Sequence, residues 1–295
     1  MSIGVVGAGK WGSALAFALS EKNNVFLSSR TPRDLPNFIS MNEILKCEYL
    51  VITVPAQQVA GWLKEHFVFN NQKILVASKG IEASSSRFLN EIYKEYVPDE
   101  NIAFLSGPSF AVEVMASLPT ALVINSKNEA LAKDFGTFFP SFIKTYTSTD
   151  VVGAEISGAY KNVIAIAAGI CEGLSLGNNA AAALISRGLV EMQRFGMAYG
   201  AQSETFLGLG GAGDLFLTAS SSMSRNFRVG LGLAKAQTQE EILQELGEVA
   251  EGIGTTYALQ KISKEKDLYL PIAREVYEML EGKDPKASLE DLLSK

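Results

Sequence analysis

One histidine, two cysteines and no long apolar run set the first limits on this 295-residue chain. The histidine, His66, lies in Trp62-Leu63-Lys64-Glu65-His66, on the polar side of a helix end, and reads as a surface residue. If the chain moves protons in a reaction, some other side chain must do it. Cys47 and Cys171 are far apart, with no second thiol or histidine at metal-ligand spacing. They read as two reduced cysteines in a cytoplasmic protein, with no metal site. No stretch is long and apolar enough to span a bilayer, and Met1-Ser2 leads straight into a strand pattern, so neither membrane insertion nor a signal peptide is expected. Positive charge is in deficit, 26 Lys and Arg against 32 Asp and Glu for a net charge of −6. That excludes a general nucleic-acid binder, and any anionic ligand must be held by local basic groups. The remaining composition, 47% hydrophobic and 20% charged, is that of a globular protein long enough for two domains.

The first twelve residues carry the clearest signal. Ile3-Gly4-Val5-Val6 is too short an apolar run to be anything but a strand, and Gly7, Gly9 and Gly12 follow it in a G-x-G-x-x-G ahead of an apolar helix at Ser13–Leu19. In that setting one glycine makes a tight turn, one lets backbone approach a pyrophosphate, and one lets the helix pack closely on the strand. Unpaired N–H groups and the positive dipole end of the helix then face the phosphates. Further strands are expected at Val25–Ser29, Tyr49–Pro55, Lys73–Ser78, Ile102–Leu105, Thr120–Ser126 and Ile143–Thr147, with helices between them at Gln57–Glu65, Ser86–Glu95, Ala111–Ser117 and Asn128–Phe138. This alternation predicts a Rossmann-like, doubly wound parallel sheet over residues 1–150. After Asp150 strand patterns vanish, and alanine- and glycine-rich helical stretches, Gly153–Gly173 and Ala180–Gly200 among them, predict an all-α domain over 151–295.

An acidic residue at the end of the second strand would grip a ribose 2′-hydroxyl. Here the stretch is Ser28-Ser29-Arg30-Thr31-Pro32-Arg33, with no carboxylate before Asp34. Arg30 and Arg33 suit a 2′-phosphate, which favours NADP over NAD, although Arg30 stacked on an adenine ring would serve both.

Lys161 is the most telling residue of the second half. At helical spacing its neighbours are Ala154, Ser157, Gly158, Ile164, Ala165 and Ala168, so it is the only charge on a small, apolar face. Burial there disfavours the ammonium form and leaves room for a ligand; the alternative is a lysine that reaches solvent or pairs with an acid such as Glu155. Lys79, in Ser78-Lys79-Gly80, follows a strand at the sheet end where ligands gather, as does Ser106-Gly107-Pro108-Ser109-Phe110-Ala111. Gly208–Leu215 reads as a glycine-dense loop delivering Asp214, as a site residue or as a helix cap. Ser224-Arg225-Asn226 sets a hydroxyl, a guanidinium and an amide in a row, groups suited to a phosphate or to a solvated surface.

Taken in order, these segments resemble the bacterial NAD(P)-dependent glycerol-3-phosphate dehydrogenases. The resemblance rests on Gly-Ala-Gly-Lys-Trp-Gly at 7–12, Ser-Lys-Gly at 78–80, Gly-Pro-Ser-Phe-Ala at 107–111, Gly-Ala-Tyr-Lys-Asn at 158–162, Gly-Asp-Leu at 213–215, Ser-Arg-Asn at 224–226 and Val-Ala-Glu-Gly at 249–252. It implies that Lys161 is the catalytic acid–base and that Asp214 orients it. It implies substrate contacts from Lys79, Gly107, Ser109, Lys161, Asp214, Ser224, Arg225 and Asn226. Cofactor contacts would come from Gly7, Gly9, Lys10, Trp11, Gly12, Arg30, Lys79, Ala111, Arg225, Val249 and Glu251. Lys10 stands where the family often has a small hydroxyl residue, and the stretch 31–48 looks shorter than is common there. The implied reaction is reversible reduction of dihydroxyacetone phosphate to sn-glycerol 3-phosphate, supplying glycerophospholipid synthesis; a homodimer is expected only from the general frequency of two-fold pairs. Two rival expectations are a two-domain dehydrogenase of carboxylate substrates and a dinucleotide-binding regulator without turnover.

Overall fold

Short, continuous apolar runs organise the first half of the chain. It folds as β1 (Ser2–Val6), α1 (Lys10–Ser20), β2 (Asn24–Ser28), α2 (Met41–Ile44), β3 (Tyr49–Ile52), α3 (Val59–His66), β4 (Lys73–Val76), α4 (Leu89–Tyr93), β5 (Ile102–Ser106), α5 (Ala111–Met115), β6 (Thr120–Asn125), α6 (Glu129–Thr137) and β7 (Ile143–Ser148). Successive strand residues point to opposite faces. Ile3, Val5, Tyr49, Val51, Leu75, Ala103 and Leu105 therefore join one apolar core with α1 and α6. Val6, Leu50, Ile52, Ile74, Val76, Ile102 and Phe104 join a second core with α3 and α4. Helices thus cover both faces, as a mostly parallel sheet requires. The computed structural model describes residues 2–293; the expectations at Met1 and at the last two residues of the 151–295 stretch lie outside the described residues.

The sheet has the order β2-β1-β3-β4-β5-β6-β7. All neighbours pair parallel except β5 and β6. The antiparallel β6 departs from the expected parallel run, because its connection holds only the one-turn α5, too little to carry the chain back along the sheet. Val5 pairs with Leu27 on one side and Val51 on the other, so strand order reverses at β1 and a switch point opens beyond Val6. The expected helix at Ser86–Glu95 shrinks to α4, since Ser86 takes φ 58° and interrupts it.

The second half contains α7 (Val151–Gly173), α8 (Gly177–Met197), α9 (Ser203–Leu207), a π-helical turn (Leu209–Gly213), α10 (Asp214–Ala219), α11 (Arg225–Ala234), α12 (Gln239–Leu246), α13 (Glu251–Lys266), α14 (Pro271–Leu280) and α15 (Pro285–Leu293). The chain divides into two compact units, Met1–Ser78 with Leu89–Ala154, and Lys79–Phe88 with Glu155–Lys295. The segment after β4, Lys79–Phe88, groups with the helical unit. There Phe88 packs edge-on against Tyr199, with ring centroids 5.1 Å apart.

α7 is buried nearly all round, through Ile156, Ala159, Tyr160, Val163, Ile164, Ala165 and Ile166, as a helix apolar on every side must be. α11 crosses it closely. A Cβ on Gly230 would lie 2.0 Å from the Ile166 carbonyl oxygen, and one on Gly169 would lie 2.0 Å from that of Phe227. Glycine on both helices is what permits this approach. Glu191 on α8 anchors the opposite side: its buried carboxylate accepts from Tyr160 Oη at 2.8 Å and from the Ile272 and Ala273 N–H groups at 2.9 Å. It thereby holds the first turn of α14 against α7.

Candidate active site

In the sheet unit, Gly7 takes φ 108°, a conformation that favours glycine. Thr53 Oγ1 donates to the carbonyl oxygens of Val6 and Gly7, each at 3.0 Å, and ties the turn to the end of β3. A Cβ on Gly12 would fall 1.8 Å from the Gly7 carbonyl oxygen, so this glycine lets α1 pack against the turn. Gly9 is different. A Cβ there meets nothing within 4 Å, so no packing demands glycine, and what the position offers is open space beside the first turn of α1. That is the arrangement a pyrophosphate needs: exposed backbone, unobstructed approach and a helix N-terminus. Gly9 caps α1 directly, so the helix begins at Lys10 rather than at the expected Ser13, and Lys10, Trp11 and Gly12 form its first turn. Trp11 Nε1 donates to the Ala77 carbonyl oxygen at 3.2 Å, pinning the indole beyond β4.

Arg30 and Arg33 are exposed beyond β2. Gly107, with φ 108°, turns the chain after β5, where a Cβ would lie 2.9 Å from the Ala121 carbonyl oxygen. Ser109 is half-buried, its hydroxyl 3.3 Å from the Gly107 carbonyl oxygen, and Ala111 opens α5.

In the helical unit, three charged side chains converge. Lys161 Nζ donates to Asp214 Oδ1 at 2.5 Å and to Thr218 Oγ1 at 2.9 Å. Lys79 Nζ donates to the other carboxylate oxygen, Oδ2, at 2.6 Å. Lys161 is 7% exposed and Asp214 1%. Burial pushes Lys161 down from the ordinary 10.5 to about 8; the Asp214 charge opposes that shift, and the like charge of Lys79 adds to it. Burial works to raise the Asp214 carboxyl, but the two ammonium groups together outweigh it, so its pKa lies below the ordinary carboxylate value. The carboxylate therefore stays ionised while the lysine can take up and release a proton near neutral pH.

The local fold accounts for this convergence. Gly158 sits one turn before Lys161, and a Cβ there would lie 3.3 Å from Lys79 Cγ, so the missing side chain is what lets the stem of Lys79 cross α7. Asp214 begins α10, with Gly213 at the N-cap position and no side-chain capping bond. The glycine-dense stretch before it is a π-helical turn, not the loop expected from its composition, and Asp214 follows the N-cap position of α10 rather than occupying it. Thr218, one turn further on α10, donates to the Asp214 backbone carbonyl at 2.6 Å, which leaves its oxygen facing Lys161 as an acceptor.

A family model described as NAD-dependent glycerol-3-phosphate dehydrogenase C-terminus matches residues 150–290, and its N-terminus counterpart matches residues 27–132. A glycerol-3-phosphate dehydrogenase [NAD(P)+] of Sulfurimonas denitrificans is 75% identical over 292 residues, covering 99% of each chain. The chain belongs to the NAD-dependent glycerol-3-phosphate dehydrogenase family. A relative of the same name from a Nitratiruptor species is 59% identical over 295 residues, covering all of this chain and 99% of its own. Among solved structures, the glycerol-3-phosphate dehydrogenase of Coxiella burnetii superposes with a TM-score of 0.90 at 32% identity, covering 100% of this chain and 99% of the other.

Within this glycerol-3-phosphate dehydrogenase family member, the expected site residues are not all placed alike. Lys79, Lys161 and Asp214 are brought into direct contact. Ser224 is buried at the N-cap of α11, where its hydroxyl accepts from the Phe227 N–H at 3.3 Å. Asn226 is also buried, and its side-chain oxygen accepts from the Gly252 N–H at 2.9 Å, holding the start of α13 and leaving the amide NH2 to donate. Arg225 is 43% exposed, with Nη1 3.5 Å from Glu248 Oε2. Val249 is exposed, and Glu251 opens α13. Thr218 was missed by the sequence reading. Its signal was present, a hydroxyl four residues after Asp214, but it becomes legible only once that segment is read as helix.

Proposed function

We infer that the chain reversibly reduces dihydroxyacetone phosphate to sn-glycerol 3-phosphate, with Lys161 as acid–base. The observation that supports this most is the buried lysine, lowered to about 8, in direct contact with an ionised Asp214. Bound NAD(P)H supplies the hydride for C2 of the substrate, and NAD(P)+ receives it in the reverse direction. As the ketone is reduced, the Lys161 ammonium gives a proton to the oxygen developing negative charge at C2. In oxidation, neutral Lys161 takes that proton from the C2 hydroxyl. Asp214 orients the lysine, and Lys79 binds and polarises substrate oxygen from the other side of the same carboxylate.

Arg225 and Asn226, with the turn capped by Ser224, hold the substrate phosphate, and binding at that non-reacting end fixes C2 for the transfer. The turn Gly7–Gly12, with open space at Gly9, fits the pyrophosphate of the coenzyme, and Lys10 adds positive charge there. Trp11, Ala111, Val249 and Glu251 complete the coenzyme contacts, while Gly107 and Ser109 add to the substrate contacts. Arg30 and Arg33 favour NADP over NAD through the 2′-phosphate. Among the described residues no helix is long and apolar enough to cross a membrane. A cytoplasmic homodimer supplying glycerophospholipid synthesis completes the reading, two-fold pairs being the commonest oligomers.

The test is loss of NADPH and NADH absorbance with dihydroxyacetone phosphate as substrate. Turnover with both coenzymes, faster with NADPH, is expected. Coenzyme binding without turnover would support the regulator reading instead.

A further inference from the structure

Two arginines, not one, lie at the start of α11. Arg225 opens the helix and Arg228 follows one turn later, with no acidic residue in the first turn. Positive charge at a helix N-terminus opposes the macrodipole, and like charges three residues apart repel, so neither arginine serves the stability of α11. Arg225 has a partner in Glu248. Arg228 has none. It is half-buried, its Nε is fully buried without a hydrogen-bond partner, and it forms no ion pair among the described residues. An N–H donor removed from water needs an acceptor, and leaving the Arg228 Nε without one is costly. Helical side chains lean back over the preceding turn, which directs Arg228 toward Ser224 and Arg225 rather than toward the C-terminal end of α11.

We propose that Arg228 is a second guanidinium for the phosphate of the substrate, acting beside Arg225. This rests on the reading of the Ser224–Asn226 turn as the phosphate site and extends it to a residue outside the Ser-Arg-Asn run. Arg225, already shared with a carboxylate, supplies a partly neutralised charge. Arg228 supplies an uncompensated one, and its planar fork can meet two phosphate oxygens. A dianionic phosphate ester is then selected over an uncharged triose of the same carbon skeleton.

The test compares Arg228→Gln, Arg228→Lys and Arg225→Ala with the unaltered enzyme on dihydroxyacetone phosphate and on dihydroxyacetone, with inorganic phosphate as competitive inhibitor. Arg228→Gln should raise the KM for dihydroxyacetone phosphate and the inhibition constant of inorganic phosphate by about tenfold, the scale of one charge-assisted hydrogen bond. Arg228→Lys should recover part of that loss. kcat/KM for dihydroxyacetone and the KM for NADPH should stay within twofold. Equal losses on both trioses would show a structural role and overturn the proposal, and a loss confined to the KM for NADPH would assign Arg228 to a coenzyme phosphate and overturn it too. If Arg225→Ala raises the KM for the phosphate ester and Arg228→Gln does not, the proposal fails while the phosphate site stands. If neither variant changes it, the phosphate site itself is elsewhere.

Discussion

Lys161 Nζ and Asp214 Oδ1 lie 2.5 Å apart, the lysine side chain 9% exposed and the carboxylate 1%. Attraction at that distance would ordinarily hold the ammonium protonated far above neutral pH. Burial and the second ammonium, Lys79, prevail, and the lysine falls to about 8. A lysine at its ordinary value would be a poor base for the oxidation; one near 8 serves both directions.

The pH dependence follows with opposite signs for the two directions. Reduction of dihydroxyacetone phosphate needs the ammonium, so its kcat should fall as pH rises through about 8. Oxidation of sn-glycerol 3-phosphate needs the free amine, so its kcat should rise through the same value. Steady-state profiles at saturating substrates would check this. Profiles with the same slope in both directions would show that another group titrates.

Asp214 and Lys79 act on Lys161 with opposite signs. Asp214→Asn removes the charge that holds the proton on, so the alkaline limb of the reductive profile should move below 8. Lys79→Met removes the charge that pushes the proton off, so the limb should move above it. Each shift is expected to be about one pH unit or more, the scale on which a neighbouring charge moves a buried group. Shifts in the same direction would mean that the triad is not coupled as its geometry indicates.

Gly9 and Gly12 should separate coenzyme binding from folding. Gly12→Ala forces a Cβ against the Gly7 carbonyl and should cost roughly 1–3 kcal/mol of stability, as overpacking does. Gly9→Ala meets nothing in the protein. It should leave the melting temperature unchanged and weaken NADPH binding by tenfold or more, since the methyl occupies the approach of the pyrophosphate. Calorimetry on both variants would decide, and equal melting losses would contradict the division of roles.

The sheet half was legible because its strands are short continuous apolar runs, as burial on both faces demands, and its glycines stand at fixed intervals. The burial of Lys161 was legible because a lone charge on a small-residue face is conspicuous, while its pairing with a distant acid, Asp214, was one of the readings left open. What the sequence hid was helical structure rich in glycine. Gly230 and Gly232 weaken the helical reading of Arg225–Ala234 by propensity, yet Gly230 is what lets α11 lie against α7. The run from Leu209 to Gly213 looks like a loop but is wound as a π-helical turn, and Thr218 was lost with it. The placement of Lys79 with the helical unit was equally hidden, because it follows a strand directly and depends on the bare backbone of Gly158, 79 residues away.

The proposed preference for NADP is tested at Arg30. Arg30→Ala should raise the KM for NADPH by about tenfold, the loss of one charge-assisted contact, and change that for NADH much less. Equal effects on both would assign Arg30 to the adenine ring and not to a 2′-phosphate.

The proton transfer by Lys161 is tested most directly by single-turnover kinetics of Lys161→Ala, mixed with NADPH and saturating dihydroxyacetone phosphate. NADPH should bind as in the unaltered enzyme, while its oxidation slows by about 10²- to 10⁴-fold, the range of general acid–base catalysis. Oxidation within a few-fold of the normal rate would contradict the assignment of Lys161 as the acid–base.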